Sequence, residues 1–298
     1  HALYRGIFTP KVAALLPPGT RLRLATGDIL SALPLSLLVT RPAVDGKPAH
    51  FLIEDHALSI VPSIAVLGQE NPASDRRAAR RLVAIGAPDA DATAGNAPSR
   101  AAPLAPLPAA RREMETVARL LGRHGPAQVL SGPEATEAAV RALDLRDVGV
   151  LLFATHGLVA GAFDGHSEPA LVLAPGPGGD ARHDGYLTAS EAAQLDIGAQ
   201  WVILSACNTA GGSHPSAAGY TGLARAFLFA GARRVVASHW PVRDDISARL
   251  SIGLVESMQH QQRADEALRQ SILAVLHDNA LPDARNPALW APFMVIAR

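Results

Sequence analysis

Short apolar runs recur through the second half of the chain. They cover Val148–Ala154, Ala170–Ala174, Trp201–Leu204, Arg234–Ser238 and Phe293–Ile296. Runs this short without polar alternation are the pattern of strands buried on both faces. Between them the spacing turns helical. Met114, Val117, Leu120 and Leu121 recur at three and four residues up to Gly122, and Ile246, Leu250 and Leu254 form one stripe within Asp244–Gln259. Ala264–His277 gives a further helix, and Tyr220–Leu228 is apolar enough for a well-buried one that stops at Gly231. Thr188 and Glu191 stand at capping-box spacing and open another. Strands alternating with helices from about residue 128 predict an α/β fold, a mainly parallel sheet with helices on both faces.

The first part of the chain is patterned differently. Arg21–Ala25 alternates with period two and predicts a strand, Leu33–Leu38 a short turn or helix. Phe51–Asp55 and Ala57–Pro62 read as two further strands or a hairpin, Ser63–Leu67 as a helix start, and Arg81–Gly86 as a strand ending in glycine. Pro88, Pro98, Pro103, Pro106 and Pro108 then interrupt a stretch of Ala, Asp, Gly and Ser, which predicts an exposed loop. After the helix that Gly122 ends, Gln128–Leu130 reads as a strand and Ser131–Leu143 as a helix. The expected division is residues 1–86 as a smaller N-terminal lobe, 87–110 as a loop and 111–298 as the larger half. No internal repeat is visible.

In a sheet of this kind reactive groups gather beyond the carboxyl ends of the strands. Two strand ends carry chemistry. The apolar run Trp201–Leu204 continues as Ser205–Ala206–Cys207–Asn208–Thr209 and reaches Gly211–Gly212, and Cys207 is the only cysteine. The run Val148–Ala154 leads to Thr155–His156–Gly157. A thiolate is a strong nucleophile, and an imidazole beside it lowers the thiol pKa and can protonate a leaving amine. The glycines let backbone N–H groups approach a substrate carbonyl. A lone cysteine can equally be a small buried hydrophobe, so both readings stand at this point. No G-x-S-x-G elbow supports a serine hydrolase. His156, His166, His183, His214 and His239 share this half of the chain without metal-ligand spacing, and no phosphate-binding glycine motif occurs. Neither a metal nor a cofactor is expected.

Composition narrows the setting. Lys+Arg and Asp+Glu are 27 each, so no net charge draws the chain to nucleic acid or to an anionic membrane surface. One cysteine excludes an intramolecular disulfide and suits a reducing cytoplasm. No apolar run approaches the roughly 20 residues of a membrane span. Lysine occurs only at 11 and 47 among many arginines and alanines, which points to a GC-rich bacterial genome. The chain opens on His1 rather than methionine, so a longer parent protein is expected.

The segments ATHG (154–157), LSACNTAGG (204–212), GLARAFLFAGARRVVASHWPV (222–242) and WAPF (290–293) resemble the CHAT domain, a caspase-like cysteine peptidase module related to separases. LPLSLL (33–38), FLIEDHALSIVPS (51–63) and DGYLTASEAAQLDIGAQWVILSAC (184–207) extend the resemblance over essentially the whole chain. It implies a caspase-like fold whose 111–298 part is catalytic and whose N-terminal part is a non-catalytic, pseudo-caspase-like lobe. It also implies an endopeptidase with Cys207 as nucleophile, His156 as general base and acid, and the amides of Gly157 and Cys207 as oxyanion hole. In related separases an acidic pocket residue favours a basic residue before the scissile bond. Asp244 or Asp245 is the candidate here, with Asp244 equally placed to cap the helix that follows. Ser205 is a further candidate for substrate contact. The implied partners are a protein or peptide substrate and a regulatory module such as TPR repeats, within a bacterial signalling or defence system. The alternative is a catalytically silent scaffold. Self-processing within 87–110 is a third reading.

Overall fold

The computed structural model describes residues 1–26, 30, 33–61, 63, 81–86, 104–161, 167–176, 184–205, 218–260 and 263–298. Its strands in chain order are β1 (Leu22–Leu24), β2 (Val39–Arg41), β3 (His50–Phe51), β4 (Leu58–Ile60), β5 (Leu82–Gly86), β6 (Ala127–Ser131) and β7 (Val150–Phe153). They continue as β8 (Gly157–Leu158), β9 (Ala170–Val172), β10 (Tyr186–Thr188), β11 (Trp201–Leu204), β12 (Arg234–Ser238) and β13 (Phe293–Ala297). The helices are α1 (Ala2–Ile7), α2 (Pro10–Ala13), α3 (Leu52–Asp55), α4 (Pro108–Gly122) and α5 (Glu137–Ala142). After them come α6 (Ala189–Ala192), α7 (Ala218–Phe229), α8 (Asp244–Gln259), α9 (Ala264–Leu276) and α10 (Pro287–Trp290).

Eight strands form one sheet in the order β1-β4-β13-β12-β11-β7-β5-β6. Every neighbouring pair is parallel except β12 with β13. The carboxyl ends of β12, β11, β7, β5 and β6 therefore share one edge of the sheet. Strands β5, β7 and β11 are buried at every position, as their unbroken apolar runs require. Successive residues point to opposite faces. Leu82, Ala84, Leu152 and Ile203 thus pack with Met114 and Val117 of α4 and with Ile246 and Leu250 of α8. Their neighbours Val83, Ile85, Leu151 and Val202 pack with Val140 of α5 and Leu223 of α7. Phe153 and Phe227 join sheet to α7 with ring centroids 5.2 Å apart, a contact worth about 0.5–1.5 kcal/mol beyond the area it buries. This is the mixed α/β fold with helices on both faces.

The strand at Arg21–Ala25, the strand ending at Gly86 and the helices at α4, α8 and α9 lie where the pattern places them. The Thr188–Glu191 capping box is present at α6. The stretch Phe51–Asp55 is different. Only Phe51 belongs to a strand, because the Glu54 carboxylate accepts the Phe51 N–H at 2.7 Å and winds Leu52–Asp55 into a helical turn. The Ala57–Pro62 stretch gives β4, which pairs in parallel with β1 rather than as a hairpin. Ser131–Leu143 is split between a 3-10 turn, Gly132–Glu134, and α5, the backbone leaving helical geometry at Ala135 and Thr136 before the Thr136 side chain caps α5 by accepting the Ala139 N–H. The helix expected from Ser63 and most of the 87–110 loop lie outside the described residues.

Candidate active site

His156 follows β7 by three residues, and its surroundings fix it closely. The Ala154 N–H continues the ladder to the Ile85 carbonyl at 2.8 Å. Beyond it the chain turns into a small antiparallel sheet, β10-β9-β8, in which the Val172 N–H reaches the His156 carbonyl at 2.8 Å and Gly157 pairs with Leu171. Gly86, at the end of the adjacent β5, allows the close approach: a Cβ there would stand 2.5 Å from the Ala154 carbonyl oxygen and 2.7 Å from Met114 Sδ. His156 is 2% exposed. Its Nε2 lies 2.8 Å from the carbonyl oxygen of Ala105. A carbonyl can only accept, so Nε2 carries a hydrogen, and in the neutral ring Nδ1 is the basic nitrogen.

The second candidate strand, β11, lies directly beside β7, with Leu204 in register with Phe153. The Ser205 N–H donates to the Phe153 carbonyl at 2.9 Å and carries the pairing one residue further. His156 and Cys207 each stand three positions past this last register pair in sequence. Residues 206–217, Cys207 among them, lie outside the described residues. The backbone of Gly157, the described half of the expected oxyanion hole, sits at the start of β8 next to His156.

Ser205 turns inward. Its hydroxyl donates to Glu113 Oε2 of α4 at 2.8 Å and lies 2.9 Å from Ser247 Oγ of α8. Glu113 is 1% exposed. Its carboxyl is pushed up to about 8, chiefly by burial, with the hydroxyls of Ser205 and Ser251 opposing and the nearby Asp244 adding to the rise. The sequence did not single out Glu113. The signal was its spacing, three residues after Ala110 and four before Val117, which puts it on the buried stripe of α4.

Asp244 opens α8 but caps a different helix. Its Oδ2 accepts the Ala109 N–H at 2.7 Å, at the first turn of α4, whereas the residue preceding α8 is Arg243. The expected cap on α8 itself is thus replaced by a bond between two helix starts. Burial raises the Asp244 pKa, while the amides of Ala109 and Ala110 and the charge of His156 favour its anion. Asp245 is exposed and forms two hydrogen bonds with Arg243, at 3.0 and 2.7 Å. His239, at the end of β12, is buried, which pushes its imidazole down to about 4.

The model of the CHAT domain family matches residues 1–298. Among solved structures, the Arg-specific cysteine proteinase gingipain R (RgpB) superposes with a TM-score of 0.52 at 12% identity, over 93% of this chain and 62% of that one. The separase of the Saccharomyces cerevisiae separase–securin complex gives a TM-score of 0.46 at 14% identity, over 81% of this chain and 14% of that one. The chain thus spans less than two thirds of either protein. A comparison with curated protein sequences finds no match. With the family model matched from end to end on a parallel sheet flanked by helices, the chain belongs to the CHAT domain family and has the caspase-like α/β fold.

Proposed function

We propose that this chain is a cysteine endopeptidase with Cys207 as nucleophile and His156 as general base and acid. The observation that carries the reading is the placement of His156, held by Ala105 at the carboxyl end of β7 beside the strand that leads to Cys207. In the proposed reaction the thiol proton passes to His156 Nδ1 and the sulfur attacks the scissile carbonyl carbon. The amides of Gly157 and Cys207 hold the oxyanion. His156 then returns the proton to the leaving amine, giving a thioester, and next takes a proton from the water that hydrolyses it. Asp244 or Asp245 would favour a basic residue before the scissile bond, with Arg243 offsetting part of that charge. The substrate is a protein or peptide, and a fused or partner module such as TPR repeats would control access in a bacterial, cytoplasmic signalling or defence setting.

A second reading, a scaffold that binds without cutting, draws on the burial of His156 at 2% exposure, an enclosed setting for a ring that must meet substrate. A peptide library incubated with wild type, Cys207→Ala and His156→Ala separates the two. Cleavage lost in both variants with unchanged circular dichroism supports the peptidase. Cleavage that survives Cys207→Ala, or an absence of cleavage together with a thiol inert to peptidyl electrophiles, removes it.

A further inference from the structure

One buried ionisable group takes no part in the proposed chemistry. Glu113 lies in the second turn of α4 among the hydroxyls of Ser205, Ser247 and Ser251. Among the described residues no cation faces it, and its second oxygen, Oε1, has no hydrogen-bond partner. A carboxylate in such a place would be costly. The same helix start reaches the other parts of the site. The Ala105 carbonyl, three residues before α4, holds His156, and the Ala109 N–H in its first turn holds Asp244. Glu113 adds the hydrogen bond to Ser205, two residues before Cys207 in sequence.

We infer that Glu113 is a positioning residue: by accepting the Ser205 hydroxyl it fixes the end of β11 that delivers Cys207, relative to the helix whose approach segment holds His156. The inference rests on the peptidase reading for its purpose but not for its geometry. A carboxyl with its pKa at about 8 is neutral at pH 7, so it accepts from Ser205 without setting a second negative charge against Asp244 or against a thiolate. What the site needs from position 113 is a neutral acceptor of the right length. Glutamine supplies one and alanine does not.

The test uses the intact chain at pH 7 with two readouts, peptide cleavage and the rate at which iodoacetamide alkylates Cys207. Glu113→Ala is expected to lower kcat by about tenfold, with KM within about twofold, because one buried hydrogen bond to the delivering strand is lost. The alkylation rate should change in proportion. Glu113→Gln should restore both readouts to within about threefold of wild type. Ser205→Ala, a small change that keeps the packing, should reproduce the Glu113→Ala effect, and the double variant should be no worse than the poorer single one. Wild-type kinetics in Glu113→Ala or Ser205→Ala would overturn the inference. So would a Glu113→Gln variant as impaired as Glu113→Ala, since that would require the charge. If no peptide is cleaved while the alkylation ratios hold, the peptidase reading fails and the positioning stands.

Discussion

His156 donates its Nε2 hydrogen to the carbonyl oxygen of Ala105 across 2.8 Å. The bond orients the ring through a backbone carbonyl, and in the neutral ring it leaves Nδ1 as the basic nitrogen. It also joins the two halves of the site's support. Ala105 belongs to the approach to α4, and α4 in turn is capped by Asp244 from α8. A shift of the α4 start would therefore disturb His156 and Asp244 together.

The two functions of the ring can be separated by substitution. Glutamine at 156 places an amide donor near the position of Nε2 and offers no base. His156→Gln should therefore keep the bond to Ala105 and unfold within about 1 kcal/mol of wild type in urea. Its kcat should drop by about 10²–10⁴, the usual contribution of a general base. His156→Ala loses the rate and the bond, so its unfolding midpoint should fall further than that of the glutamine variant. Equal midpoints for the two would show that the Ala105 bond contributes nothing to the fold.

The strands and helices that carry the site were legible because their residues obey one period each. Val150–Phe153 and Trp201–Leu204 are apolar throughout since both faces are covered, and the stripe Ile246, Leu250, Leu254 matches the buried face of α8. What joins them was not legible. The Ala105 bond is made by a backbone atom and leaves no trace in residue type. Asp244 looks in sequence like a cap for its own helix, and only the packing of α8 against α4 reassigns it to Ala109. Glu113 reads as one more charge in Arg111–Arg112–Glu113 until its spacing from Ala110 and Val117 is weighed. Leu52–Asp55 departs from the pattern for a related reason: the Glu54 carboxylate accepts the Phe51 N–H, and that local bond outweighs the strand preference of Ile53.

Glu113 also makes stability depend on pH in a direction opposite to that of a paired carboxylate. Its folded pKa of about 8 lies above the ordinary glutamate value of 4.5, so the folded state holds the proton more tightly than the unfolded chain. The stabilisation is complete below pH 4.5, is lost progressively as the pH rises toward 8 and does not change beyond. The slope for one group is bounded by about 1.4 kcal/mol per pH unit. Glu137, raised to about 7 by burial, acts in the same sense, so the comparison must be with Glu113→Gln, which retains Glu137. Thermal melts at pH 5 to 9 should show wild type losing ground to Glu113→Gln between pH 5 and 8 and holding a constant gap above. Parallel curves across that range would mean that Glu113 is not buried as an acid.

Asp244 is asked to do two things, and its amide separates them. As a cap it accepts the Ala109 N–H, so Asp244→Ala should cost about 1 kcal/mol in urea unfolding. Asp244→Asn keeps an acceptor oxygen and should cost less. As the acidic member of a pocket, its charge is what counts, so both variants should lose a preference for Arg or Lys before the scissile bond to the same degree. Asp245 provides the control. Its carboxylate is exposed and already paired with Arg243, so Asp245→Asn should leave stability within about 0.5 kcal/mol and the preference in place. A positional-scanning library read alongside urea midpoints gives both quantities for each variant. The pocket role of Asp244 is lost if Asp244→Asn cuts the same basic sites at the wild-type rate. If the preference moves with Asp245 instead, the ion pair with Arg243 opens when substrate binds, and the pocket belongs to the exposed carboxylate.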